Sequence, residues 1–415
     1  MSGSSLCILG RQPELGIAEL ESLYGAENLR PLNGAALVDV DVNDIDFRRL
    51  GGTMKLARVL MSLPTKDWRS LAKYLEEQIP AHLKHLDDGK FTLGLSVYDI
   101  AVSANEINKL ALSIKRAAKA DGRAMRVVPN KAPELNSAQV LHNKLTSLGA
   151  WEILAIADEQ QTIIAQTMFV QDIEAYAARD QARPKRDARV GMLPPKLAQT
   201  IINLSTGKIE STVNSQQSTV KGLKTNDSQL KTTSATRLLD PFCGTGVILQ
   251  EALLMGFEAI GTDLEQRLVD CSRENIDWLK DRVGYKGALR SLEAGDATDY
   301  KWSGHFDTIA SEVYLGRAFS APPKPEIFKQ NVADVNLIIK KFLQNLRTQT
   351  ESSFRLCLAL PAWKQTGQTI HLPLLDNLTD MGYNRVALEH VSFDELIYAR
   401  PGQFVARELV ILERL

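Results

Sequence analysis

Asp240-Pro241-Phe242-Cys243-Gly244-Thr245-Gly246 is the stretch that decides how this chain reads. It follows the short apolar run RLLD (237–240) and leads into VILQEALLMG (247–256), so it sits where a strand hands over to a helix. Glycines at such a junction let the backbone approach a ligand closely, and the N–H groups at a helix start favour an anionic group such as a carboxylate. A bare GxG would be explained by an ordinary glycine-rich turn; the full DPFCGTG string in this context is far more specific. Two further acids fall at the ends of the next two strands. Asp263 closes FEAIGTD (257–263), where a carboxylate can hold two ribose hydroxyls. Asp296, followed by Ala297, closes SLEAGDAT (291–298), where it can accept from an exocyclic adenine amine. Taken alone, Asp263 at its strand end is more often a helix cap, and for Asp296 the two readings weigh equally.

Outward from this loop the C-terminal part alternates strand and helix. LEQRLVDCSRENIDWLKDRVG (264–284) is helical; FDTIASE (306–312), SFRLCLALP (353–361) and LIYARPGQFVARELVILERL (396–415) supply strands, the last turned as a hairpin at Pro401-Gly402. That alternation predicts a doubly wound, largely parallel sheet. The N-terminal part reads as α+β. Strands are expected at 6–10, 36–42 and 55–64, with a helix from Pro13 stopped at Gly25. A second α+β layer follows. It has helices at 68–86, 104–122 and 137–149, the last with Ser137 as N-cap, strands at 91–99 and 124–130, and a hairpin of WEILAIA with TIIAQTMFV. A basic stretch then runs into a helix opened by Pro194-Pro195, and 206–235 is Ser/Thr/Gln/Lys-rich, too poor in large apolar residues to offset its ordering entropy. We therefore expect domains at 1–65 and 66–172, a linker helix with a flexible insertion at 173–235, and a C-terminal domain at 236–415.

Composition bounds the function. The 415 residues are 44% hydrophobic, with a formal net charge of −1. No apolar stretch approaches the length of a membrane span and the N-terminus has no signal-peptide pattern, so a soluble, cytoplasmic protein is expected. Cys7, Cys243, Cys271 and Cys357 form no CxxC pair and no His cluster accompanies them, which argues against a zinc site or disulfide framework. Near-zero net charge leaves any nucleic-acid affinity to local patches. Two exist: Lys115, Arg116, Lys119, Arg123, Arg126 and Lys131, and Arg179, Arg183, Lys185, Arg186 and Arg189. Such patches hold phosphates without reading sequence, though a charge run is as often a solvated face.

The three stations at successive strand ends resemble the Rossmann-like S-adenosylmethionine methyltransferases. Together with the LPPKLAQTIINL helix and the RPGQFVARE hairpin, DPFCGTG resembles the tRNA guanine-N2 methyltransferases that carry a THUMP domain and modify position 10. LGRQPELGIAELESL is similar to the ferredoxin-like N-terminal domain of that family, and 66–172, including SAQVLHNKL, to its RNA-binding THUMP domain. The resemblance implies an α/β protein whose Rossmann-like methyltransferase domain is preceded by ferredoxin-like and THUMP-like α+β domains. It implies S-adenosylmethionine as cofactor, held by Asp240, Phe242, Cys243, Gly244, Thr245, Gly246, Asp263, Asp296 and Ala297, and tRNA as substrate, held by Lys115, Arg116, Lys119, Arg123, Arg126, Arg179, Arg183 and Arg186.

One position departs from that family. Its Asp/Asn-Pro-Pro-Tyr tetrapeptide after the fourth strand is replaced here by Ser311-Glu312-Val313-Tyr314-Leu315-Gly316. A guanine N2 amine is a poor nucleophile because its lone pair is delocalised, so the site must accept its N–H bonds, clamp the base and align it. Glu312 and the Val313 carbonyl are the candidate acceptors and Tyr314 the ring that stacks on the extruded base. Glu is a methylene longer than Asp and the proline rigidity is gone. Two rival readings stay open: methylation of another RNA or a DNA base, and a tRNA-binding protein whose methyltransferase site has degenerated.

Overall fold

The computed structural model describes residues 3–87, 89–187, 192–208, 235–317, 319, 323–365 and 368–415. Arg189 and the insertion from 209 to 234 lie outside the described residues. The chain divides into two units: Met1–Arg183 with Pro194–Thr200 and Leu388–Tyr398, and Pro184–Leu193 with Ile201–Ala387 and Ala399–Leu415.

The first unit runs β1 (Ser5–Leu9), α1 (Pro13–Tyr24), β2 (Leu29–Leu32), β3 (Ala35–Val38), β4 (Thr53–Leu63), α2 (Trp68–Leu83), β5 (Phe91–Tyr98), α3 (Ala104–Ala120), β6 (Met125–Val127), α4 (Ser137–His142), β7 (Ala150–Asp158), β8 (Gln161–Val170) and α5 (Ile173–Gln181). Its strands form one sheet in the order β2-β3-β1-β4-β8-β7-β5-β6. β4 pairs antiparallel with β1 on one side and β8 on the other, so the sheet runs without a break across the expected boundary at residue 65. α3 begins on a capping box between Ser103 and Glu106. α4 is shorter than its sequence pattern, and its N-cap is Asn136 rather than Ser137, because the Asn136 side chain reaches the Gln139 N–H at 2.9 Å. α2 and α3 bury Leu71, Leu75, Ile107, Leu110 and Ile114 against Phe91, Leu93 and Ile153 of the sheet.

Three buried charged side chains lock this unit. Lys55 on β4 pairs with Glu152 on β7, both almost inaccessible, and the remaining lone pairs of Glu152 are met by Ser96 Oγ at 2.6 Å and Thr167 Oγ1 at 2.7 Å. Glu21 on α1 accepts the backbone N–H groups of Glu389 and His390. A segment 368 residues away in sequence thus belongs to this first unit, which sequence periodicity gives no means of detecting.

α6 (Pro195–Thr206) carries the chain toward the second unit, which continues as β9 (Arg237–Asp240), α7 (Val247–Leu254), β10 (Glu258–Asp263), α8 (Gln266–Arg282), β11 (Ala288–Ala294), β12 (Thr308–Glu312), α9 (Pro325–Arg347), β13 (Arg355–Gln365), β14 (Gln368–Ile370) and β15 (Tyr383–Arg385). β16 (Ile397–Tyr398) lies in the segment of the first unit, and β17 (Val405–Arg414) ends the chain. The sheet order is β11-β10-β9-β12-β13-β17-β15. β11, β10, β9, β12 and β13 are mutually parallel, and β17 runs antiparallel to β13 over nine residue pairs, from Arg355↔Glu413 to Trp363↔Val405. β9, β10, β12 and β13 read as continuous apolar runs because helices cover both faces of a parallel sheet. α9 is not among the elements read from the sequence; its buried Phe328, Val335, Ile339, Phe342, Leu343 and Leu346 recur at helical spacing and pack on Leu239, Ile309, Leu358 and Trp363. No described helix is long and apolar enough to cross a membrane.

Chain order and strand order part company at β9. Its first two successors, β10 and β11, lie on one side, and β12 then returns to the other. At such a switch point the loops leaving adjacent strands diverge and open a crevice beyond their carboxyl ends.

Candidate active site

The crevice is a cavity of about 1460 Å³ lined from the ends of β9, β10, β11 and β12, with α9, the end of β13 and the loop before β17 closing the far side. Eleven of the residues expected from sequence line it: Asp240, Phe242, Cys243, Gly244, Thr245, Asp263, Asp296, Ala297, Glu312, Val313 and Tyr314.

Gly246, expected to touch the ligand, does not line the cavity. It takes the left-handed conformation, φ 83°, as N-cap of α7, and a Cβ there would lie 2.2 Å from Ser272 Oγ. The glycine is needed so that α7 and α8 can approach. The loop amides behave differently from expectation as well. Phe242 N–H donates to Asp240 Oδ1 at 3.3 Å, Cys243 N–H to the Thr262 carbonyl at 2.9 Å, Gly244 N–H to Asp263 Oδ2 at 2.9 Å and Gly246 N–H to the Cys243 carbonyl at 2.8 Å. These donors hold the loop in shape, which leaves anion contacts to Thr245 N–H and the first turn of α7, where Val247 and Ile248 line the cavity.

The three acids play different parts. Asp240 is buried, and its Oδ1 accepts from Ser311 Oγ at 2.6 Å across the switch point. Burial pushes its carboxyl up to about 7, with the charges of Asp263 and Glu312 adding to the rise and the Ser311 and Phe242 hydrogen bonds opposing it. Asp263 bridges two loops, accepting from Gly244 N–H and, at 3.0 Å, from Glu265 N–H; burial raises its carboxyl above the ordinary range. Asp296 is exposed, and its Oδ1 accepts from Thr298 N–H at 2.9 Å, the local turn that an Asp at a strand end commonly makes.

On the other side, β12 delivers Glu312, Val313 and Tyr314. Glu312 is ion-paired with Arg407 of β17, both side chains nearly buried. Burial raises the Glu312 carboxyl, and the adjacent guanidinium opposes the rise. Val313 is buried, while Tyr314 is 43% exposed and faces the cavity. Arg407 is a site residue that sequence reasoning passes over. The available signal is an Arg-Glu dipeptide inside an otherwise apolar final strand, and nothing in the sequence says which acid it meets. Leu264, 71% exposed beside Asp263 and lining the cavity, is the other omission, since one exposed leucine carries no pattern.

The expected phosphate-binding residues separate by exposure. Lys115, Arg116 and Lys119 are exposed on α3, as are Arg126 and, in the second unit, Arg186. Arg123 is half-buried and donates to the carbonyls of Leu86 and Asp87, and Arg179 is half-buried, its guanidinium 4.4 Å from the centre of the Tyr176 ring. Arg183 is only 4% exposed, which removes it from any surface patch: a phosphate cannot reach a guanidinium enclosed by protein.

Residues 225–369 match the UPF0020 family model, described as an RMKL-like methyltransferase domain. The tRNA (guanine(10)-N2)-dimethyltransferase of Methanothermobacter thermautotrophicus is 27% identical over 238 residues, 57% of this chain and 54% of that protein. The enzyme of the same description from Pyrococcus abyssi is 28% identical over 155 residues, 36% of each. This chain therefore spans about half the length of the first relative and about a third of the second. Among solved structures, TrmN from Thermus thermophilus aligns over 99% of this chain and 100% of its own, with a TM-score of 0.49 and 15% identity. The family match makes residues 225–369 of this chain similar to an RMKL-like methyltransferase domain.

Proposed function

We propose that the chain transfers a methyl group from S-adenosylmethionine to the exocyclic N2 of a guanosine in tRNA. The observation that carries this reading is the cavity at the switch point, where two nearly buried carboxylates and an exposed tyrosine from β9, β10 and β12 converge. Its volume exceeds the roughly 300–1,000 Å³ of a site for one small ligand and leaves space for a cofactor and a base together.

The residues fit the cofactor. Asp263 suits its ribose hydroxyls, Leu264 offers an apolar wall to its purine, and the carboxylates of Asp240 and Asp263 favour its positive charge. Bound there, S-adenosylmethionine would supply an electrophilic methyl on a sulfonium, and the amine that takes it would release a proton to the Glu312 carboxylate or to solvent. The chain's own contribution is positioning. Glu312 and the Val313 carbonyl accept the two N–H bonds of the amine, and Tyr314 stacks on the base extruded from its helix. Arg407 holds the Glu312 carboxylate in place where proline rigidity is missing. On α3, Lys115, Arg116 and Lys119 are exposed for phosphate contact.

The test is tritiated-methyl transfer to unmodified tRNA, with the product nucleoside identified by mass spectrometry. We expect N2-methylguanosine from wild type, a strong loss in Tyr314→Ala equivalent to about 1–3 kcal/mol of stacking, and little change in Tyr314→Phe. Retention of tRNA and cofactor binding without methyl transfer to any tRNA would establish the degenerate-site reading instead.

A further inference from the structure

Charge in the cavity is sorted by side. Its acidic lining residues are Asp240, Asp263, Glu265, Asp296 and Glu312, all delivered by the ends of β9 to β12; the cation among them, Arg267, is ion-paired with Asp187 and Glu265. Beyond Glu312 the lining contains Arg317, Lys341, Lys364, Arg400 and Arg407 and no Asp or Glu. Arg407 is committed to Glu312, and Arg317 lies 3.8 Å from Asp334. Lys341 and Lys364 are different: both are exposed, and neither side chain has an ion-pair or hydrogen-bond partner among the described residues.

Aromatic rings lie near Lys364 and an exposed leucine near Lys341. Lys364 donates its backbone N–H to the Phe404 carbonyl at 3.0 Å, and the Phe404 ring packs edge-on against Phe319 at 6.4 Å and Phe328 at 5.9 Å. Lys341 lies one turn along α9 from Leu337, which is 52% exposed and lines the same cavity. Unpaired cations beside an exposed leucine and part-buried rings are a combination that suits single-stranded nucleic acid, the ring taking a base and the cation its backbone.

We propose that Lys341 and Lys364 bind the phosphodiester backbone of an RNA strand on either side of the nucleotide that enters the cavity. This rests on the reading that RNA is the substrate, and it adds a phosphate-binding site built into the methyltransferase unit itself. The physical reason is discrimination by sign. A cationic methyl donor is drawn to the acidic pole and repelled from the basic one, while a polyanion is steered the opposite way, so two ligands of opposite charge sort themselves within one cavity.

The experiment uses the full chain and the double variant Lys341→Gln/Lys364→Gln, with Lys341→Arg/Lys364→Arg as the charge-conserving control. An unmodified tRNA transcript is titrated at several KCl concentrations, and S-adenosylmethionine is titrated separately by calorimetry. For single-stranded contacts each phosphate contributes roughly 0.7 to the slope of log affinity against log salt, so losing two should flatten it by about 1.4. The Arg control should restore the slope, and the affinity for S-adenosylmethionine should stay at the wild-type value. In turnover, KM for tRNA should rise more than kcat falls. An unchanged slope in the Gln variant overturns the proposal. So does a weakened affinity for S-adenosylmethionine with the slope intact, which would assign the basic pole to the cofactor's carboxylate. If wild type transfers no methyl group yet the slope flattens as expected, the phosphate site stands and the methyltransferase reading falls. If wild type methylates tRNA and the slope does not move, the reverse holds.

Discussion

Replacing Arg407 by Met tests the Glu312–Arg407 pair most directly, because it removes one charge of a nearly buried pair while keeping an apolar side chain of similar reach. The two side chains are 7% and 13% accessible. Breaking a buried pair by deleting one partner costs about 3–5 kcal/mol, since the remaining charge is left without compensation. For a unit of this size that corresponds to a fall in melting temperature of roughly 6–20 °C near neutral pH. The sign of the pH dependence follows from the surviving carboxyl. Burial already raises Glu312, and loss of Arg407 removes what opposes the rise. A carboxyl whose folded value lies above its unfolded one binds more protons in the native state, so stability falls as pH rises between the two values and is recovered on acidification. The deficit of Arg407→Met should therefore be largest near pH 7 and shrink toward about pH 5, with wild type changing less over that range. The double variant Arg407→Met/Glu312→Gln leaves no isolated charge and should be more stable than the sum of its singles predicts, with a coupling of about 0.5–3 kcal/mol. Thermal melts at the two pH values, followed by methyl transfer at each, provide the measurement. Additive singles, or an Arg407→Met variant whose deficit does not change with pH, would refute the reasoning.

Two further outcomes are expected. Asp240 sits near 7, so affinity for the cationic cofactor should weaken as pH falls through about 7 and the carboxylate is neutralised. Ser311→Ala removes a hydrogen bond that lowers this value, which should move the weakening to higher pH in a calorimetric titration; an unshifted profile would show that another group governs it. Gly246→Ala combines a left-handed φ with a Cβ 2.2 Å from Ser272 Oγ, so it should destabilise the second unit by more than about 1 kcal/mol in a denaturant titration. A variant with wild-type stability would mean that Ser272 simply turns away.

The parts of this protein legible in the sequence are those governed by local rules. A strand running into DPFCGTG and then a helix is a statement about glycine φ angles and apolar runs within about ten residues, and it located β9, the loop and α7. Alternating strands and helices likewise implied a parallel sheet, and Asp263 and Asp296 were findable as acids at strand ends. The distinction between them was not. Asp263 is buried across the motif loop while Asp296 is exposed on its own turn, and burial depends on what packs above a residue. Arg183 was misread as surface for the same reason, since a basic run looks identical whether solvated or enclosed.

Pairings between distant segments belong to the tertiary structure alone. The order β11-β10-β9-β12-β13-β17-β15 opens the crevice between β9 and β12, yet hydrophobic periodicity carries no information about which strand lies beside which. Glu312 meets Arg407 across ninety-five positions, and Ser311 meets Asp240 across seventy-one. Side-chain chemistry at positions 311 to 316 could be read from the sequence as a departure from the expected tetrapeptide. The partner that Glu312 meets there could not, because Arg407 comes from a strand at the other end of the unit, delivered there by the antiparallel register of β17 on β13. Local conformation follows from a residue and its near neighbours; a site follows from the neighbours that folding supplies.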